Sequence, residues 1–384
     1  MSRVLARLAL WLLPCQVLFC AASPASAQTS LDAVLEPSRA RYELPALAAA
    51  VVVDGKVVAV GAVGTRKAGA KIPVTVDDRF HVGSDTKAMT ALLAAMLVEA
   101  GKLRWNSTIA EVFPELAKEM DPALGRVTLE QLVSHTSGIP SDNDAFEGLL
   151  QKSLSEDGNL DELRYWLVRK WGKQPLASKP GTKFAYGSMN YVIAGAMIER
   201  AGGKTWEELI TERVFGPLEL RSAGLGPQAT LGKIDAPLGH EVIAGKAKAF
   251  LAGPNGDNPL VLGPSGTAHM SVLDFARWAG WNAGQGKRGP KLVKPETLKK
   301  LHTPVIAIPE KKDAAPGTPA RGKYALGWGE VSVDWAPEPL LYHGGSNMKN
   351  LAHIWLDPKR DFAMVLVTNV AGRKADEALM ALAP

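Results

Sequence analysis

Cysteine is almost absent from this chain. Its 384 residues include two, Cys15 and Cys20, and both lie within the first 27 residues. The pattern of that stretch predicts its removal, so the mature chain can use neither disulfide bonds nor thiolate chemistry. Its stability must then come from a hydrophobic core. A hydrophobic content of 46% and a charged content of 22% are ordinary for a globular protein of this size.

Long hydrophobic runs are missing except at the start. Two positive residues, Arg3 and Arg7, come before an apolar stretch at 8–22 and a small-residue cleavage site at 25–27. This order predicts a secretory signal peptide over residues 1–27 and a mature chain that begins at Gln28. We therefore expect a periplasmic or secreted protein, with no stable membrane insertion after signal cleavage.

Two other interpretations of this leader are weaker. An uncleaved membrane anchor is disfavoured because the apolar run is short and contains Pro14. A lipid-modified Cys20 is disfavoured because the preceding Leu18 and Phe19 are not small residues.

A concentration of positive charge is also missing. The formal net charge of +5 falls to +3 once Arg3 and Arg7 leave, because no acidic residue leaves with them. The lysines are scattered and form no basic stripe. The composition therefore indicates a solvated surface and excludes a nucleic-acid-binding face.

Two catalytic patterns are absent. No serine has glycine at both positions of a Gly-x-Ser-x-Gly elbow, which excludes a typical α/β-hydrolase. The histidines show no His-Glu-x-x-His or other close ligand spacing. They are His81, His135, His240, His269, His302, His343 and His353. We therefore expect neither a metal nor another cofactor.

The most informative stretch that is present runs from Phe80 to Lys87. The apolar run at 88–100 behind it predicts a helix that is buried on all sides and ends at Gly101. Ser84 would lie at its first turn, with Lys87 on the same face three residues on. Burial and the helix N-terminus both favour a neutral lysine, which could take a proton from serine.

An ordinary structural interpretation of Ser84 stays open from these residues alone. Serine is favoured as a helix N-cap for stability. The chain also holds a second Ser-x-x-Lys, from Ser346 to Lys349, which precedes a predicted strand and not a buried helix.

Two later stretches carry further chemical groups. Tyr186 lies in a glycine-containing loop that leads into a helix, and a phenol there could relay protons to and from serine. His343, Gly344 and Gly345 precede a strand, where a glycine pair allows a substrate to approach a backbone amide. Taken alone, Tyr186 could equally be a core residue and His343 a surface residue.

The order of elements predicts two lobes. A hairpin is expected at 47–53 and 56–63 around Asp54-Gly55, and strands at 324–333, 351–356 and 362–369. Helices are expected at 128–134, 161–171, 188–201, 206–214, 271–284 and 374–383. The fold class is therefore α/β. An antiparallel sheet from the N- and C-terminal segments, flanked by helices, forms one lobe (28–100 and 301–384). A mostly helical lobe (101–300) is inserted, with the site between them.

Three motifs in order resemble those of the β-lactamase-related serine hydrolase family, which contains class C β-lactamases, secreted DD-peptidases and esterases. They are Ser84 to Lys87 for S-x-x-K, Tyr186 to Ser188 for Y-x-N, and His343 to Gly345 for K-T-G or H-x-G. The flanking stretches 132–140, 214–218 and 324–328 resemble the family as well. The resemblance spans nearly all of residues 28–384 and implies the two-lobe fold of β-lactamases and penicillin-binding proteins.

The resemblance also implies roles for single residues. Ser84 would form the acyl-enzyme, and Lys87 and Tyr186 would share general-base and general-acid catalysis. The backbone N–H groups of Ser84 and Ser346 would form the oxyanion hole. Substrate would be bound by a further set, namely Ser188, His343, Gly344 and Gly345. His135 is expected to be structural.

Two departures bear on the substrate. Ser188 stands where the family usually has asparagine, and Asn190 does not replace it because Tyr191 already matches the following aromatic residue. His343 replaces the lysine that holds a β-lactam carboxylate, as in some DD-peptidases and many esterases of the family. These changes favour hydrolysis of carboxylic esters or D-amino-acid peptides and amides.

Two alternatives remain. One is a β-lactamase, and the other is a protein that binds cell-wall peptide or another acyl ligand without turnover. In each case the partner is a small molecule, and substrate choice is expected to depend on residues 141–160 and 307–323.

Overall fold

Strands from the two ends of the chain form one sheet. The computed structural model describes residues 28–253 and 256–383, so the predicted signal peptide lies outside the described residues. The strands are β1 (Thr29–Ser30), β2 (Ala46–Val53), β3 (Lys56–Gly64), β4 (Arg79–His81), β5 (Gly224–Leu225), β6 (His240–Ile243), β7 (Lys246–Ala249), β8 (Ala268–Ser271), β9 (Ile306–Ala307), β10 (Lys323–Tyr324), β11 (Gly329–Val331), β12 (Leu340–Ser346), β13 (Leu351–Asp357) and β14 (Phe362–Thr368).

The order of strands in the main sheet is β1-β3-β2-β14-β13-β12-β11-β10-β9. All neighbours are antiparallel except the short β1, which pairs parallel to β3. The hairpin β2–β3 therefore joins the C-terminal strands through β14, with Ala50 opposite Val365. The predicted sheet built from both ends of the chain is confirmed.

The helices cover both faces of this sheet. In sequence, most of them lie between its N-terminal and its C-terminal strands. They are α1 (Asp32–Arg41), α2 (Thr86–Glu99), α3 (Ile109–Val112), α4 (Pro122–Gly125), α5 (Leu129–Val133), α6 (Asp144–Ser153), α7 (Leu160–Trp171), α8 (Ser188–Gly202), α9 (Trp206–Ile210), α10 (Gly263–Gly266), α11 (Val272–Ala283), α12 (Pro295–His302) and α13 (Arg373–Leu382). No helix within 28–253 or 256–383 combines the length and apolar character needed to cross a bilayer.

The core has two layers, because alternate residues of each strand point to opposite faces of the sheet. On β2, Ala48 and Ala50 face the larger core with α2, α8 and α11, whereas Leu47 and Ala49 face a smaller core with α1 and α13. Successive strand residues point to opposite faces, so one sheet is covered by helices on both sides. Helix α2 is buried along nearly its whole length, as the apolar run predicts.

Between residues 79 and 271 the chain also forms short strands that the sequence analysis did not predict. Three short strands form a second sheet in the order β4-β8-β5, and β6–β7 form a hairpin. Each has four residues or fewer, too short for period-two alternation to stand out. The predicted strand at 324–333 is also interrupted, because Gly327 has a φ of +82° and packs against the start of α2.

A buried cation links the helices of the inserted segment. Arg164, on α7, is fully buried and contacts the carboxylates of Glu199 and Glu207, and its Nε donates to the Val261 carbonyl at 3.0 Å. Burial raises the pKa of Glu199 to about 7, against the opposing effect of Arg164. Three helices and the segment before α10 therefore depend on one guanidinium.

We expect Arg164→Met to lower the free energy of unfolding by about 3–5 kcal/mol, because two partly buried carboxylates lose their cation. Urea unfolding at pH 7.5 measures this directly. Arg169→Met, on an exposed position of the same helix, is the control and should change the value by less than about 0.5 kcal/mol. Equal unfolding midpoints for the two variants would contradict a structural role for the Arg164 cluster.

Candidate active site

Ser84 lies in a tight turn that joins β4 to α2. Residues Gly83–Asp85 form a 3₁₀ turn, and α2 begins at Thr86. The Thr86 hydroxyl donates to the Gly83 carbonyl at 2.7 Å and accepts the amide of Ala268 at 3.1 Å. Neither end of this turn has a side-chain cap, so Ser84 is not the N-cap that the structural alternative required. Its hydroxyl is left for another partner.

That partner is Lys87. The Lys87 Nζ atom lies 3.0 Å from the Ser84 Oγ atom, and it also contacts the Ser265 carbonyl at 2.8 Å and the Ser265 hydroxyl at 2.9 Å. Lys87 is buried, and burial lowers its pKa to about 7, although the carboxylates of Asp142 and Asp85 act in the opposite direction. A large fraction of Lys87 is therefore neutral at neutral pH, as a general base requires.

Tyr186 covers the same lysine. Its ring centroid lies 4.9 Å from Lys87 Nζ, and its hydroxyl is buried with no hydrogen bond within 3.5 Å. Burial raises the pKa of the Tyr186 phenol well above its usual range, and the nearby Ser84 hydroxyl opposes this only in part. The phenol therefore stays protonated at neutral pH and can act as a proton donor towards Ser84.

His135 holds the loop that carries Tyr186. Its ring lies 4.4 Å from the Tyr186 ring, its Nδ1 atom accepts the Gly187 amide at 3.4 Å, and its carbonyl accepts the Ala185 amide at 2.9 Å. Burial lowers the pKa of His135 well below its usual value, so the ring is neutral. These contacts are those of a structural histidine.

Glycines bring strand β12 against the Gly83–Asp85 turn. A Cβ atom on Gly345 would lie 1.9 Å from the Val82 carbonyl oxygen and 2.7 Å from the Ser84 amide nitrogen. One on Gly83, whose φ is +52°, would lie 2.3 Å from the Ser346 amide nitrogen. The amides of Ser84 and Ser346 are thus close neighbours, the arrangement that an oxyanion hole requires. Gly344 faces away, towards Gly317 in the 307–323 loop.

His343 lies behind this contact and not at the surface. It is 1% exposed, and its ring contacts the Tyr324 hydroxyl at 3.1 Å and the Gly344 carbonyl at 2.8 Å. The surface alternative for His343 is therefore wrong. Burial lowers its pKa to about 3, so the ring is neutral. Its role in substrate binding stays a prediction, with no exposed imidazole atom to support a direct contact.

Asp85 was not singled out from the sequence. Its carboxyl group is buried, has no hydrogen bond, and lies 3.5 Å from His343 Nδ1. Burial raises the pKa of Asp85 well above its usual value, which favours a protonated carboxyl. An acidic residue inside the S-x-x-K motif was the only available signal.

Ser188 does not present a free side chain to the cleft. Its hydroxyl donates to Asp142 Oδ2 at 2.7 Å, and its amide donates to Asp142 Oδ1 at 2.7 Å. Asn190 is fully buried and accepts from the Ser137 hydroxyl, so it does not supply the missing asparagine. Sequence reasoning missed Ser265 and included Asp142 only within the 141–160 region, since each is far along the chain from the group that it contacts.

A second network of polar contacts involves the segments next to the Ser84 and Ser346 amides. The buried His81 accepts the Gly83 amide through Nδ1 at 3.0 Å, and its Nε2 lies 2.9 Å from Asp257. Asp257 also accepts from the Asn347 side chain at 2.7 Å. These contacts connect the Gly83–Asp85 turn to the segment after β12, and no sequence motif pointed to them.

The profile of the family described as Beta-lactamase matches residues 31–383 of this chain. The chain belongs to the Beta-lactamase family. This match covers all the described residues that form the site, and it confirms the resemblance and the two-lobe α/β fold.

Relatives within this family are distant. The chain is 27% identical over 334 residues to penicillin-binding protein 4 of Amycolatopsis lactamdurans, covering 86% of this chain and 82% of that protein. It is 24% identical over 351 residues to protein flp of Staphylococcus aureus (strain MW2), covering 89% of this chain. The chain spans 63% of the length of flp.

A solved structure shares the fold. The D-stereospecific amidohydrolase from a Streptomyces species superimposes with a TM-score of 0.69 at 20% sequence identity. The match covers 92% of this chain and 97% of that one. At this level of identity the likeness establishes the architecture, and the chemistry must be argued from the residues themselves.

No cluster of metal ligands stands out in the described ranges. Within them, no three His, Cys, Asp or Glu side chains are placed to hold one ion. The expectation of a site without metal or cofactor stays a prediction.

Proposed function

We propose that this protein is a secreted serine acyl hydrolase that forms an acyl-enzyme at Ser84. The observation that carries the proposal is the 3.0 Å contact between Lys87 Nζ and Ser84 Oγ, with Lys87 buried and its pKa lowered to about 7. A serine hydroxyl needs a neighbouring base to become a nucleophile at neutral pH. A lysine that is neutral for much of the time, at hydrogen-bond distance, meets that need.

The acylation step follows from this geometry. Neutral Lys87 takes the Ser84 proton while Oγ forms a bond to the substrate carbonyl carbon, and the carbonyl oxygen becomes an oxyanion. The amides of Ser84 and Ser346 donate to that oxyanion. The tetrahedral intermediate collapses, the bond to the leaving group breaks, and the protonated Lys87 or the Tyr186 phenol supplies the proton that the leaving group takes.

Deacylation reverses these roles. A water molecule replaces the leaving group, gives a proton to Lys87 or to a Tyr186–Lys87 relay, and attacks the acyl carbon. The second tetrahedral intermediate collapses to a carboxylic acid, and the proton returns to Ser84 Oγ. Atoms and protons balance without a metal or another cofactor.

The residues around Ser84 favour carboxylic esters or D-amino-acid peptides and amides as substrates. A fold shared with a D-stereospecific amidohydrolase and sequence similarity to a penicillin-binding protein support an acyl group of that kind. A β-lactamase is the second candidate, on the strength of the family. Its carboxylate-binding lysine is replaced by His343, which is buried and neutral, so no cation at that position would hold a β-lactam carboxylate.

The test is intact-mass spectrometry of the mature protein after exposure to a fluorophosphonate and, separately, to a panel of penicillins. We expect a fluorophosphonate adduct on the wild type, none on Ser84→Ala, and an undiminished adduct on Ser141→Ala, which removes an exposed serine beside Gly187. A stable penicillin adduct would move the activity towards DD-peptidases and β-lactamases. No adduct on folded wild-type protein would favour a binding protein without turnover.

A further inference from the structure

A carboxylate is fixed against the loop that carries Tyr186. Both oxygens of Asp142 accept hydrogen bonds from Ser188, one from its amide and one from its hydroxyl, each at 2.7 Å. The same carboxylate lies beside Gly187, because a Cβ atom there would be 3.2 Å from Asp142 Oδ1. Asp142 is therefore held in one orientation by Ser188, which follows Tyr186 by two residues.

Capping of a helix accounts for only part of this arrangement. Helix α8 begins at Ser188, so a carboxylate there stabilises the first turn. A neutral acceptor would serve the same purpose. Asp142 is also exposed to solvent, and within the described part of the chain no Lys, Arg or His nitrogen lies within 4.0 Å of it. Within those residues, Asp142 is thus a solvent-exposed carboxyl group beside the Tyr186 loop that has no cationic partner.

The charge acts on the groups that perform the chemistry. Asp142 raises the pKa of Lys87, where it is the largest influence opposing burial, and it also raises the pKa of Tyr186. Its field therefore extends to the place where the scissile carbonyl must lie. A positive group on a substrate bound at Ser84 would be attracted to the same carboxylate.

We infer that Asp142 binds a primary ammonium group next to the scissile carbonyl. The substrates are then aminoacyl esters or amides with a free amino terminus. This inference rests on the proposed function, because it needs an acyl group bound at Ser84. It also explains Ser188: its hydroxyl is used to orient Asp142, so the pocket recognises an ammonium where the family's asparagine would meet a substrate amide.

The experiment compares two substrates that differ only at the amine. D-alanine p-nitroanilide and N-acetyl-D-alanine p-nitroanilide are assayed at pH 7, where the free amine is mostly charged. We expect the wild type to favour the free amine in kcat/KM by about tenfold or more, the scale of one charge-assisted hydrogen bond. The ratio of the two kcat/KM values reports recognition of the amine alone, because any change in the charge of Lys87 affects both substrates equally.

Two variants test whether the charge of Asp142, and not that of a neighbouring carboxylate, causes the preference for the free amine. Asp142→Asn keeps an acceptor for Ser188 and removes the charge, so the ratio should fall to near one. Asp144→Asn removes a neighbouring exposed carboxylate in the first turn of α6 and should leave the ratio unchanged. If the anilides are hydrolysed too slowly to measure, D-alanine amide and its N-acetyl form are compared as protectants of Ser84 against the fluorophosphonate. We expect the free-amine form to protect at a lower concentration.

The outcomes distinguish this inference from the proposed function. An equal kcat/KM for the two substrates, or a preference for the acetylated one, overturns ammonium recognition while acyl hydrolysis stands. A preference that survives in Asp142→Asn overturns the role of that residue. Absence of any fluorophosphonate adduct at Ser84 overturns both. If Asp142→Asn fails to fold, the wild-type ratio still decides whether a free amine is recognised.

Discussion

Gly345→Ala is expected to lower kcat for ester hydrolysis by about a hundred- to a thousandfold, the usual effect of losing one oxyanion-hole donor. The added methyl group would lie 1.9 Å from the Val82 carbonyl and 2.7 Å from the Ser84 amide nitrogen. Both neighbours are backbone atoms in buried segments, so they cannot move aside cheaply. Strand β12 must then shift away from the Gly83–Asp85 turn, which separates the amides of Ser84 and Ser346.

The control is Gly148→Ala in α6, where a Cβ atom would have no neighbour within 4 Å. It should leave kcat unchanged. Circular dichroism and the unfolding midpoint show whether Gly345→Ala remains folded, and the fluorophosphonate adduct shows whether Ser84 is still accessible. Wild-type kcat in a folded Gly345→Ala protein would mean that the approach of β12 to Ser84 does not form the oxyanion hole.

Local parts of the site were predictable from the sequence. Ser84 and Lys87 are three residues apart at the start of a helix whose apolar pattern requires burial, so their contact follows from helical geometry. The hairpin of β2 and β3 was equally clear, because a two-residue turn separates two apolar runs. Each of these predictions uses interactions between residues that are close in the chain.

Contacts between distant segments were not predictable in this way. Ser265 reaches Lys87 across 178 residues, and Asp142 reaches Ser188 across 46. No periodicity or turn signal connects such pairs. The glycines of β12 predict that another backbone segment approaches closely. That this segment is Val82–Ser84 depends on the packing of the whole sheet against α2, which no local pattern shows.

His343 shows why a motif alone does not give a role. A histidine in place of lysine suggested a weaker group for binding a carboxylate. In the structure its buried ring contacts the Tyr324 hydroxyl and lies 3.5 Å from the Asp85 carboxyl group. Burial lowers the pKa of His343 to about 3, so the position carries no cation. Lys87 is the cation that contacts Ser84 directly, and we expect the pH dependence of activity to belong to it.

Lys87 should control the pH profile of kcat/KM for a neutral ester. Its pKa is about 7 because burial disfavours the ammonium, and only the neutral amine can accept the Ser84 proton. We expect kcat/KM to rise about tenfold per pH unit below pH 7 and to level off above it. Neither His343 nor His135 explains this limb, since burial lowers the pKa of His343 to about 3 and that of His135 well below its usual value.

Lys87→Arg tests the base itself. Arginine keeps a positive charge but stays protonated, so kcat/KM should fall by about a hundred- to ten-thousandfold across the whole pH range. Glu199 also has a pKa of about 7, but it lies with Arg164 and away from Ser84. Glu199→Gln should therefore keep the limb near pH 7. A limb that disappears in Glu199→Gln, or a Lys87→Arg enzyme with more than about a tenth of wild-type activity, would show that another group removes the serine proton.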